Sequence, residues 1–149
     1  MLDQPADPFV DAALRDANRS YAPYTKDFSG VALECEDGRV YTGGHEENAA
    51  YDPSLAPFQA AFAMIIFGGA PGAPAKVSRA DFVEPSTKSA KISEVGGTQV
   101  SLSSIAPGVK LEIHNTVRCP TPTAVGSGLA DFAAVTALLL LPFALAARD

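Results

Sequence analysis

Residues 29–43, SGVALECEDGRVYTG, constrain this chain more than any other run. Two short stretches rich in apolar residues flank Asp37-Gly38, a dipeptide that readily adopts the positive φ of a tight hairpin turn. The run predicts two strands, over 30–35 and 39–42. What the flanking segments supply then decides the fold.

Upstream, Asp7 is suited to cap a helix and Pro8 to its first turn, with Phe9, Ala12, Ala13 and Ala17 on one face and Pro23 ending any continuation. Downstream, SLAPFQAAFAMIIFGG sets Phe58, Ala61, Phe62, Ile65 and Ile66 at helical spacing before a Gly68-Gly69 stop. This helix, over 55–67, is apolar on all sides and is expected to be buried. Residues 68–75 read as a turn-rich connector, 76–84 as a strand, 85–99 as a polar excursion, 101–108 as a short helix and 109–117 as a final strand. The order α-β-β-α-β-(α)-β predicts an α/β fold in layers around a mixed sheet.

With 149 residues, 47% of them hydrophobic and 19% charged, the chain has room for one domain with a real core. A net charge of −6 and no Lys/Arg cluster argue against binding a nucleic-acid backbone. Cys35 and Cys119 are too few for a disulfide framework. The acidic start has no apolar signal region, which leaves a cytoplasmic location as the expectation.

The C-terminal part differs in character. The division expected is a domain over 1–119, a Pro/Gly/Ser/Thr-rich linker over 120–128 and an apolar helix over 129–149. Residues 132–147 carry no charge, a run somewhat shorter than the roughly 20 residues of a spanning helix. Two readings stay open: a helix docked on an apolar protein surface, or a membrane-anchoring tail.

The run from Asp11 to Ala61 resembles the cytidine deaminase family. The resemblance is carried by SYAPYT, the Gly-Val-Ala-Leu strand, the Asp-Gly turn and above all ENAAY (Glu47 to Tyr51). It is strong over roughly 11–63 and weaker to about 117, and several motifs in the same order make it specific. It implies the family's three-layer α/β/α sandwich with a mixed sheet. The chain is most similar to the C-terminal, zinc-free domain of the two-domain dimeric enzymes, particularly at Asp52 to Gln59.

Family chemistry requires three protein ligands on zinc and a separate Glu that moves protons. In the family register the first ligand falls at Ala56 and the proton-moving Glu at Phe58, and neither side chain can do that work. The other two ligands would come from Pro-Cys-x-x-Cys at a later helix start, and no Cys-x-x-Cys occurs. His45 and Glu47 formally match the His-x-Glu half of the deaminase signature. In register, however, His45 stands where a ribose-holding Asn would be, and it is expected to be a solvent-accessible loop histidine. Any metal would need His114 or carboxylates in a new arrangement.

The expectation is therefore no catalytic residue and no cofactor in this chain, with Zn in a catalytic partner. Asp27 stands near the position of the family Phe that packs on the base. By resemblance, Glu47, Asn48, Ala50 and Tyr51 are the residues that would bind substrate or wall a partner's pocket. For Glu47 and Asn48 the alternative is loop hydrogen bonding, and for Ala49 and Ala50 it is core packing. The implied function is a non-catalytic domain that dimerises with, and completes the active site of, a zinc-bearing domain or chain deaminating cytidine or deoxycytidine by hydrolysis. Self-association is the other partner choice. The alternative function is a deaminase-derived structural subunit of another assembly, membrane-associated through 132–147.

Overall fold

A computed structural model describes residues 7–50, 53–68, 76–86 and 93–116. The chain runs α1 (Pro8–Arg19), β1 (Gly30–Cys35), β2 (Val40–Gly44), α2 (Pro57–Gly68), β3 (Val77–Pro85), α3 (Val95–Ile105) and β4 (Leu111–Thr116). Asp7 caps α1: its carboxylate accepts from the Phe9 N–H at 2.9 Å, and Pro8 opens the first turn.

The Asp37-Gly38 turn closes the β1–β2 hairpin. Gly38 has φ +79°, and its N–H donates to the Cys35 carbonyl at 2.8 Å. The sheet order is β2-β1-β3-β4. β1 is antiparallel to both β2 and β3, whereas β3 and β4 are parallel. The sheet is thus mixed, with α3 in the β3–β4 crossover.

Strand alternation divides the core into two layers. On one face Val31, Leu33 and Cys35 of β1 and Ala80 and Phe82 of β3 pack with Phe58, Ala61 and Ile65 of α2 and Leu102 of α3. On the other face Ala32 and Val83 meet Phe9, Val10, Ala13 and Ala17 of α1. Both helix layers approach the sheet over glycine. A Cβ on Gly30 would collide with the Ala13 carbonyl, and one on Gly43 with the Pro57 carbonyl. This is the expected α/β/α sandwich.

Four expectations about individual elements need correction. β2 lies at Val40–Gly44 rather than 39–42. α2 begins at Pro57 because Leu55 is already engaged in a backbone bridge with Glu46. Nor is α2 buried all round: it buries Phe58, Ala61 and Ile65, while Met64, Ile66 and Phe67 are exposed, Phe67 at 84%. α3 starts at Val95, inside the stretch read as a polar excursion. The linker and apolar helix expected over 120–149 lie outside the described residues, as does Cys119. Among the described residues, no helix is long and apolar enough to cross a membrane.

Candidate functional site

Two helix starts face the same core layer, and they would carry family zinc chemistry. At the start of α2, the Ala56 N–H donates to Gln59 Oε1 at 2.9 Å, so the side chain three residues on caps the helix. Phe58 is 4% exposed, with its ring 6.0 Å from that of Phe62, and it packs into the main core cluster. Neither residue has an atom that can bind a metal or carry a proton. The first turn of α3 is Val95-Gly96-Gly97-Thr98, without a thiol. Cys35 points into the core from β1, and burial pushes its thiol pKa up, so it is a small apolar residue here. Neither Ala56, Phe58 nor the first turn of α3 offers a thiol or an imidazole.

The segment between β2 and α2 is tied to the loop that follows α1. The His45 N–H donates to the Ser29 carbonyl at 3.1 Å, and its carbonyl accepts from the Tyr21 N–H at 2.8 Å. The Glu47 N–H donates to the Tyr21 carbonyl at 2.7 Å. The Glu47 carboxylate accepts from the Tyr24 N–H at 2.7 Å and the Thr25 N–H at 3.1 Å. Burial alone would raise its pKa, but these N–H bonds outweigh that and hold it below the ordinary value.

Asn48 is exposed; its Oδ1 accepts from the Ala50 N–H at 3.0 Å. Ala49 and Ala50 are exposed as well, which removes the core-packing alternative for them. Tyr51 lies outside the described residues.

These bonds place the His45 ring in the interior. It is 1% exposed, which corrects the expectation of a solvent-accessible loop histidine. Its ring faces Asp27, from the loop before β1, and Glu94, from the turn that opens α3. One donor atom from each of the three lies within 4.8 Å of the other two. His45 Nδ1 is 4.0 Å from Glu94 Oε1. Asp27 is 0% exposed, and burial pushes its pKa up to about 7 against the pull of the nearby Ser29 hydroxyl, with the charges of Glu94, Glu84 and Glu47 adding to the rise.

Among the described residues, both Asp27 oxygens and both His45 nitrogens are buried without a hydrogen-bond partner of good geometry. Glu84 borders the group but is engaged elsewhere: its Oε2 accepts from the Ser93 hydroxyl at 2.8 Å, and burial raises its pKa. The sequence reading named no metal ligand, yet here the fold assembles a His and two carboxylates that could hold one. His114 is not among them. It sits on the α1 face with Nε2 3.3 Å from Asp81 Oδ1, beside an Arg79 that pairs with Asp81 and Asp7 at 2.7 Å each.

Glu94 escaped the sequence reading because its segment showed no helical period. By resemblance Asp27 stands only where an aromatic residue is expected, and His45 reads as a loop residue in contact with solvent. The one available signal was polar residues standing where an apolar pocket wall was expected.

The sequence matches the family described as "Cytidine and deoxycytidylate deaminase zinc-binding region" over residues 1–99. It is 40% identical over 111 residues to a cytidine deaminase of Photobacterium profundum, covering 74% of this chain and 36% of that protein. It is 46% identical over 99 residues to one from Serratia proteamaculans, covering 66% of this chain and 32% of that protein. The chain therefore spans about a third of the length of the curated relatives it matches. The fold is similar to the crystal structure of cytidine deaminase from Burkholderia pseudomallei, with a TM-score of 0.60 at 22% identity over 76% of this chain and 87% of that one. It is similar also to that from Mycobacterium tuberculosis, with a TM-score of 0.57 at 23% identity over 74% and 85%.

Proposed function

Since the chain belongs to the cytidine and deoxycytidylate deaminase family, we propose that it is a non-catalytic member domain, without the family's zinc, that assembles with a zinc-bearing deaminase domain or chain in the cytoplasm. The pairing supports dimerisation and completes the partner's active site. The partner's zinc supplies the water activation for hydrolytic deamination of cytidine or deoxycytidine to the uridine product. This chain contributes surface and shape.

The observation that carries this reading is the start of α2. Ala56 and Phe58 stand at the ligand and proton-transfer positions, and Phe58 is committed to the core. No local side-chain motion converts that helix start into a zinc site. Two further features favour a partner. The outer face of α2 presents Met64, Ile66 and Phe67 to solvent, which is the kind of surface that association covers. The exposed 48–50 turn stands at the position that, by resemblance, reaches a neighbouring pocket.

The test is uridine release from cytidine by the purified chain, alone and mixed with a zinc-bearing deaminase. No turnover alone, with partner turnover raised on mixing, is the expected result. Turnover by the chain alone that a chelator abolishes would overturn the reading. An absence of any effect on partners would favour the structural-subunit alternative.

A further inference from the structure

The Asp27–His45–Glu94 group is difficult to explain as a protein interior left by itself. A buried donor or acceptor without a partner costs about 1–3 kcal/mol, and native interiors leave few of them. Here both Asp27 oxygens and both His45 nitrogens are such atoms among the described residues, and they lie in the same group. Their side chains belong to residues no more than 2% exposed. The nearby carboxylates that could have relieved them are committed, Glu47 to the Tyr24 and Thr25 N–H groups and Glu84 to Ser93.

We propose that Asp27, His45 and Glu94 bind one divalent transition-metal ion of the Zn²⁺ or Mn²⁺ class. Two carboxylates balance the ion's charge, and a neutral imidazole supplies the third donor. A mixed nitrogen and oxygen set without sulfur suits these ions better than Cu(I), which prefers thiolates, or Ca²⁺ and Mg²⁺, which prefer oxygen alone. The donor atoms lie within 4.8 Å of one another, so a small inward shift brings them around an ion with bonds of about 2.0–2.2 Å. Glu94 can make that shift, because its side chain is 17% exposed and lies at the turn before α3.

The donors come from the loop before β1, the turn after β2 and the entry to α3. Glu94 opens α3 with a carboxylate where the resemblance would put thiolates, and Asp27 and His45 lie outside both helix starts. The site goes beyond the proposed function and does not depend on it: a catalytically inert chain can hold a structural ion here.

The experiment uses the full chain, stripped with chelator and dialysed against Zn²⁺, with bound metal quantified and thermal unfolding followed in parallel. One equivalent of Zn²⁺, with a raised unfolding midpoint, is expected. Co²⁺ should give visible d–d bands without the near-ultraviolet band of thiolate ligation. Glu94→Gln, at a partly exposed position, and Asp27→Asn, which removes a carboxylate ligand, should each weaken binding by at least the roughly hundredfold that loss of an outer-shell partner costs. Glu112→Gln on β4 and Cys35→Ala should leave it unchanged. Failure of the chain to retain a stoichiometric ion would overturn the proposal. So would binding that survives both ligand variants but is lost in Cys119→Ser or His114→Gln. The Co²⁺ spectrum of the unmodified chain decides the ligand type even if a variant does not fold.

Discussion

The starts of α2 and α3 border one core layer, yet they have gone opposite ways. At α2, Ala56 and Phe58 offer no metal-binding or proton-carrying side chain, and the Phe58 ring is packed into the core. At α3, Glu94 turns toward Asp27 and His45, whose buried oxygens and nitrogens have no hydrogen-bond partner among the described residues. One helix start is given over to packing. The other keeps polar groups in an interior that gains nothing from them unless something is bound. The difference teaches that an apolar helix start speaks only for its own positions, and it leaves the neighbouring polar groups to be read separately.

The contrast can be broken most directly at Phe58. Phe58→Ala should lower unfolding stability by about 3–5 kcal/mol in a denaturant titration, the usual size for a buried aromatic. A loss below about 1 kcal/mol would mean that the α2 start is not the packed element described here.

At Asp27 the expected change is nearly as large and depends on pH. Its folded pKa is raised from 3.8 to about 7, so the folded state holds the proton more tightly than the unfolded chain does. Its contribution to stability is therefore complete below about pH 4. Between about pH 4 and 7 it falls by roughly 1.4 kcal/mol per unit, and then levels off. Asp27→Asn cannot ionise and should lack this slope. In chelator, the variant should gain roughly 3–4 kcal/mol on the parent between pH 4 and pH 8. Stability curves that stay parallel across this range would contradict the burial assigned to the carboxyl.

Glu47 supplies a third, smaller effect. Removing its carboxylate strands the Tyr24 and Thr25 N–H groups, so Glu47→Ala should cost about 2 kcal/mol, with faster amide exchange at both positions. The smallest change is expected at Phe67. This residue is 84% exposed, and Phe67→Ser should shift unfolding by no more than about 0.5 kcal/mol while weakening association with a deaminase partner in sedimentation. A large loss of stability there would show that the outer face of α2 is covered within the chain itself.

Much of the scaffold was legible in the residues. Asp37-Gly38 marked the hairpin, Asp7-Pro8 the start of α1, and the spacing of Phe58, Ala61 and Ile65 the inner face of α2. Only the second half of α3 was legible, within the short helix expected over 101–108; its start was not, because Gly96-Gly97 falls in its first turn, where glycine disfavours helix, and Glu94 at its N-cap makes no side-chain capping bond. What holds α3 is tertiary packing of Leu102 and Ala106, which no short window of sequence contains.

The buried cluster was illegible for another reason. Asp27, His45 and Glu94 lie on three separate segments, and an acid or a histidine in a polar loop reads as solvated until the backbone bonds that turn it inward are seen. α2 marks a similar limit. An all-apolar helix says that it wants cover on every side, but only the fold shows which side the chain itself supplies.

The β3–β4 pairing carries a kinetic consequence. A hairpin such as β1–β2 closes a short loop, whereas parallel strands must wait for a long crossover to close, with the loop entropy spent before any ladder bond forms. Glu94 rides on that crossover and meets Asp27 and His45 only when it closes. We expect the three-residue cluster to be among the last contacts made in folding and among the first lost in local opening. An ion held there would act as a latch on the slowest-forming part of the chain. It would lengthen the lifetime of the folded state while leaving the rate of collapse around the hairpin almost untouched.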